Sequence, residues 1–145
     1  MRLFFLIFLT VFFSFVQTMG FSMFGVKPNL ALVAVIVASF FVKNIWEALL
    51  LVILSATMLK FKPVFGQEII IFSLIGAAAI FLKRRLIWQP LINCLVLIAT
   101  ATVLFYIFLS PSLILSTIFL KEIIYNLILG VLIFYPLSWL KKIYF

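Results

Sequence analysis

Apolar runs succeed one another along this chain, with only short polar breaks between them. Six can be marked off, at residues 3–24, 29–43, 45–60, 67–82, 86–109 and 122–140. The longer ones reach the roughly 20 residues that a helix needs to cross a bilayer. The pattern predicts an all-α, polytopic membrane bundle of about six transmembrane helices joined by short loops, in a single domain over 1–145. The first run stays attached as a helix, because everything after it is equally apolar.

The breaks carry local signals. Gly25-Val26-Lys27-Pro28-Asn29 reads as a turn, and Pro28 suits the first turn of the next helix, where its missing N–H would have no partner anyway. Runs two and three are short. Lys43, Asn44 and Glu47, beside an interfacial Trp46, would be costly in the middle of one long helix, so two thin spans are expected rather than one span with a re-entrant piece. Lys60 to Glu68 is a loop broken by Pro63 and Gly66. After Ser110-Pro111-Ser112, the stretch from Leu113 to Leu120 is too short to cross and reads as a loop or interfacial segment. Lys121-Glu122 then open the last run, with Glu122 in a first turn that suits the helix dipole. Pro136 predicts a kink late in that run, before an interfacial Trp139, Lys141, Lys142 and Tyr144.

One break is unlike the others. Lys83-Arg84-Arg85 places three adjacent cations between two apolar runs. Each would cost roughly 2.5–3.5 kcal/mol at the centre of a membrane helix, so this is a loop at a bilayer surface, cytoplasmic by the positive-inside rule. Alternating six spans from that point puts Arg2, Lys43, Lys83, Arg84, Arg85, Lys141 and Lys142 inside, seven cations, against four outside, Lys27, Lys60, Lys62 and Lys121. Both termini are then cytoplasmic.

Composition agrees and narrows the chemistry. The chain is 68% hydrophobic and 10% charged, where soluble domains are about 45–50% apolar and about 25% charged. Its net charge of +8 sits at run ends and suits anionic lipid headgroups; no nucleic-acid partner is expected. There is no His or Asp, and Cys94 is the one Cys, so a zinc site or a nucleophile triad cannot be assembled from this chain. Glu47, Glu68 and Glu122 all lie at run ends, which favours capping or local ion pairing over a proton relay. No phosphate-binding loop is present. The expectation is a protein that is not an enzyme, with no cofactor and no catalytic or metal-ligating residue. The polar positions inside runs read as helix-helix contacts: Gln17 and Thr18 in the first, the small residues Gly76 to Ala79 in the fourth, and Gln89, Asn93 and Thr100 on one face of the fifth, with Thr102 off that face. A ligand-facing stripe on the fifth helix is the alternative.

Three stretches give a family resemblance. Lys27-Pro28-Asn29-Leu30 is similar to the Pro-Asp-Leu that opens the second span of the MreD family, with Asn29 in place of the acid. Glu122-Ile123-Ile124-Tyr125-Asn126, through Phe134-Tyr135-Pro136-Leu137 to Lys141-Lys142, resembles that family's closing helix. The small size and six-run layout also match. The third run departs from it, having none of the family's glycines. The resemblance implies a multi-pass subunit of the bacterial cytoplasmic (inner) membrane. It would be a scaffold of the rod-shape, or elongasome, complex that governs peptidoglycan elongation, contacting an MreC-like protein and other elongasome membrane proteins. It points to Pro28, Asn29, Glu122, Tyr125 and Asn126 as structural or interaction positions, beside the Lys83, Arg84 and Arg85 cluster as a topogenic anchor or cytoplasmic contact. The alternative is the substrate-binding membrane subunit of an energy-coupling-factor vitamin transporter, which would show a lined cavity near the outer surface.

Overall fold

A computed structural model describes residues 2–60 and 66–144, in six α-helices: α1 (Arg2–Thr18), α2 (Leu30–Ser39), α3 (Ile45–Leu59), α4 (Gln67–Lys83), α5 (Pro90–Leu109) and α6 (Thr117–Tyr144). A 3-10 turn at Pro111–Leu113 separates the last two. No strand occurs among the described residues. Lys62 and Pro63 in the early loop, and the Tyr144 side chain, lie outside the described residues.

The shortest run forms the axis. All ten residues of α2 are buried, and α2 touches each of the other five helices. Its sequence, LALVAVIVAS, has no polar face to turn outward, the composition of a helix enclosed on every side. The others make an arc around it, α1 on α3, α3 on α4, α4 on α5 and α5 on α6. Buried hydroxyls stitch part of that arc, since Ser14 of α1 and Ser55 of α3 share a hydrogen bond.

Helix order follows the apolar runs, but several boundaries move. The first run ends as a helix at Thr18, not at residue 24. Gly20 and Gly25 take φ of 80° and 82°, and the backbone turns through a small antiparallel bridge between Met23 and Val26. Glycine has no Cβ to oppose that left-handed conformation, so the break falls at Gly20 although the chain stays apolar. The last helix begins at Thr117, ahead of Lys121-Glu122. Ser116 Oγ accepts from the Phe119 N–H at 3.2 Å and supplies the N-cap. Residues 117–120 are therefore helix rather than loop, and Glu122 lies in the second turn, not the first. α5 starts at Pro90, leaving 86–89 as connector, and α6 runs on through Pro136.

Close approach explains the small residues of α4. A Cβ added at Gly76 would meet Val52 Cγ1 and Cγ2 at 3.3 Å, so α3 and α4 touch there backbone to side chain. Gly76→Leu should therefore destabilise the bundle by about 1–3 kcal/mol through overpacking. Thermal denaturation in detergent reads this, with Ala78→Leu, at an exposed position of the same helix, as the near-neutral control.

By length and composition two helical segments, Pro90–Leu109 and Thr117–Lys142, are able to cross a membrane. α1, α2 and α3 are apolar and shorter, at 17, 10 and 15 residues. Six helices stand where six spans are expected, and two of them are of membrane-crossing length.

Candidate functional site

Four buried polar side chains, Asn29, Thr102, Glu122 and Asn126, gather where α2 begins. The first N–H groups of any helix lack partners within it and must find them elsewhere. α2 obtains three from side chains. Asn29 Oδ1 accepts from the Leu32 N–H at 3.2 Å, as an N-cap. Gln17 Oε1, reaching from the last turn of α1, accepts from the Ala31 N–H at 2.7 Å. Asn29's own N–H donates to Asn126 Oδ1 of α6 at 3.0 Å. Pro28 supplies no N–H and needs no partner.

Asn126 is 0% exposed and used at both ends of its amide. Its Nδ2 donates to Thr102 Oγ1 of α5 at 3.0 Å, and that hydroxyl donates to the Ile98 carbonyl at 2.9 Å. One turn along, the Tyr106 hydroxyl of α5 donates to Glu122 Oε2 of α6. Thr102 and Tyr106 are four apart, as are Glu122 and Asn126, so the two contacts are successive rungs between facing helices. Ordered polar rungs of this kind fix register between helices that apolar packing alone would leave free to slide.

Above the rungs is a cavity of about 410 Å³. Pro28, Asn29, Gln17, Tyr106 and Glu122 form part of its wall, with Lys27, Glu68 and Ser110. This is the end of the bundle where α2, α4 and α6 start. Among the described residues no three His, Cys, Asp or Glu side chains gather as metal ligands.

The sequence-predicted positions divide between the two ends. Pro28, Asn29, Glu122 and Asn126 converge at this cluster. Tyr125 stands half-buried beside it and makes no hydrogen bond with the described residues. Lys83, Arg84 and Arg85 lie at the opposite end, Arg84 and Arg85 exposed. There Lys83 Nζ donates to the Ser39 carbonyl at the end of α2 and lies 5.2 Å from the Phe40 ring centre. Lys83 is just past the 67–82 run; burial, then Arg84, then Lys141 hold its pKa below the usual lysine value. Glu47 is at this end too, accepting from Arg2 at 3.4 Å and from the Lys43 N–H at 3.2 Å, a local ion pair of the kind its run-end position suggests.

Two expectations are corrected. Glu122 neither caps α6 nor pairs locally; it is buried and bonded to Tyr106. The Gln89, Asn93 and Thr100 face makes none of the expected helix-helix hydrogen bonds among the described residues; Asn93 donates to the Trp88 and Leu86 carbonyls just ahead of its own helix. Gln89 is exposed before α5 begins, and Thr100 is exposed and bonded to its own helix at the Val96 carbonyl. Thr102, off that face, is the residue in the cluster. Gln17, which the sequence reads as a helix-helix contact, does bond the start of α2, whereas Thr102 and Tyr106 are the members that sequence reasoning did not assign.

A comparison with protein-family models found no matching family, and comparisons with curated proteins and with solved structures found no match.

Proposed function

We propose that this chain is a multi-pass bundle of the bacterial cytoplasmic membrane and serves as a non-enzymatic scaffold subunit of the rod-shape complex, beside an MreC-like protein. The observation that carries this reading is the hydrogen bond from the Asn29 N–H to Asn126 Oδ1. The two stretches that resemble the MreD family, around residues 27–30 and 122–126, are 97 positions apart in the bonded pair, and they meet at one buried contact. A shared motif that closes on itself in the fold is what a structural signature requires.

The membrane setting has separate support. Large apolar side chains line the outside of the helices, among them Phe4, Phe8, Phe12 and Phe15 on α1, Ile53 on α3 and Leu132 on α6. Such a continuous apolar exterior is foreign to a soluble monomer. The cations keep to the ends. Arg2, Lys43, Lys83 and Lys141 are drawn to the end where α2 finishes, by the Arg2–Glu47 pair, the Lys43–Glu47 bond and the Lys83–Ser39 bond, with Lys141 beside Lys83. These four belong to the set that charge counting assigns to the cytoplasm. Six crossings with both termini inside follow as part of the same proposal.

One observation favours the second reading, a substrate-binding subunit of an energy-coupling-factor transporter. It is the polar-lined cavity of about 410 Å³ at the end away from the Lys83 loop. Both readings make the protein a partner-dependent membrane subunit, so the partners decide. Tagged full-length chain, crosslinked in its own cells and purified in mild detergent, should bring down a coiled-coil MreC-type protein. Recovery of a paired ATPase and its coupling subunit in place of that protein would overturn the scaffold reading.

A further inference from the structure

A second cavity, of about 580 Å³, opens at the other end of the bundle, between the end of α2, the Lys83 loop, the start of α5 and the last turns of α6. Three features mark it. Lys83 and Lys141 both line it, and no carboxylate does among the described residues. Lys83 spends one N–H on the Ser39 carbonyl; an ammonium has three, so two remain for a ligand. The third feature is Asn93. This side chain is buried, its Nδ2 donates to the Trp88 carbonyl at 2.9 Å and the Leu86 carbonyl at 3.4 Å, and it lines the cavity. Its Oδ1 is the buried side-chain atom that has no hydrogen-bond partner among the described residues. A buried acceptor left without a donor is unfavourable, so the site is short of one donor and of negative charge together. The half-buried Ser138 hydroxyl adds a donor to the wall, and Phe40 and Trp88 make the rest of it apolar.

We propose that this cavity binds a hydroxyl-bearing phosphate ester, the chemistry of a glycerol-type anionic lipid headgroup, with the phosphate between Lys83 and Lys141 and a headgroup hydroxyl donating to Asn93 Oδ1. Basic pockets between helices at a cytoplasmic surface suit such headgroups. The apolar wall suits the upper acyl chains, which a free phosphate ester does not have. An anion there also relieves the mutual repulsion of Lys83 and Lys141, the two cations that line the cavity. The proposal rests on the membrane reading above and is independent of the rod-shape assignment.

Native mass spectrometry of the full chain in neutral detergent tests it, with short-chain phosphatidylglycerol, phosphatidylcholine, phosphatidylmethanol and soluble glycerol phosphate as probes. Phosphatidylglycerol should be retained and phosphatidylcholine not. Phosphatidylmethanol, which has the charge but no headgroup hydroxyl, should bind more weakly; equal binding would remove Asn93 from the site. The double variant Lys83→Gln, Lys141→Gln should weaken phosphatidylglycerol binding about tenfold or more, while Arg84→Gln, Arg85→Gln, which removes the same charge outside the cavity, should change it by less than about twofold. Equal loss in both double variants would reduce the effect to general surface attraction and overturn the proposal. So would retention of phosphatidylcholine at the level of phosphatidylglycerol, a result that the unsubstituted chain gives even where the Lys83 variant fails to fold. Displacement of lipid by glycerol phosphate would overturn the lipid as the source of the ester. An alkaline wash of membranes separates the premise from the site: release of the chain refutes the membrane reading, whereas a retained chain that binds no phosphatidylglycerol refutes the cavity.

Discussion

Asn126→Leu should cost the bundle about 2–3 kcal/mol, measured as loss of thermal or denaturant stability in detergent. The size differs little between the two side chains, so cavity formation contributes little. The cost comes from what is left behind. Asn29's N–H is buried at the first turn of α2 and has Asn126 Oδ1 as its acceptor at 3.0 Å. With leucine in place it has none, and burial keeps water from replacing it. Thr102 suffers less, because its hydroxyl still donates to the Ile98 carbonyl. Thr102→Val alone should therefore cost about 1 kcal/mol or less. The double variant should then be no worse than Asn126→Leu by itself, since the Asn126–Thr102 bond can be lost only once. Strict additivity would show that the two residues do not act through that bond.

That prediction also marks what the sequence could and could not reveal. Asn126 was legible as a position of interest through the resemblance of its stretch to the closing helix of the MreD family. Its partner was not. The buried face of α5 consists of Asn93, Cys94, Leu97, Ile98, Ala101, Thr102 and Tyr106, a regular i, i+3, i+4 stripe. In a helix that is apolar all round, however, nothing in the hydropathy distinguishes this face from the one carrying Thr100. Sequence counting began at Gln89, which lies outside the helix, and from the buried Asn93 went on to the exposed Thr100 instead of Thr102. Helix count and order were readable because Gly, Pro and charge punctuate the runs. The ends shifted where a left-handed Gly20 stopped α1 inside an apolar stretch, and where Lys121 continued α6 with its side chain exposed. A charged side chain does not by itself end a helix, lysine and glutamate being good helix formers. The cavities were not readable at all, since each is walled by residues from three or more separated segments.

Ile36→Ala should cost the bundle about 2–5 kcal/mol, while Ile53→Ala should stay within about 0.5 kcal/mol. Both remove the same atoms from an isoleucine in the body of a helix. Ile36 on α2 is 1% exposed and belongs to the central cluster; Ile53 on α3 is 62% exposed. Hydrophobic transfer alone predicts almost no difference in a lipid or detergent setting, because hydrocarbon outside the protein is as apolar as the interior. The difference must come from packing: at Ile36 the neighbours cannot collapse into the void, because α2 is held by helices on all sides and anchored at its start by Gln17 and Asn126. At Ile53 lipid or detergent fills the gap. A thermal shift that is large for Ile36→Ala and negligible for Ile53→Ala places α2 at the axis of the bundle. Equal shifts would mean that the ten-residue helix meets lipid like its neighbours, and the polar cluster at its first turn would lose the rigid support that the fold gives it.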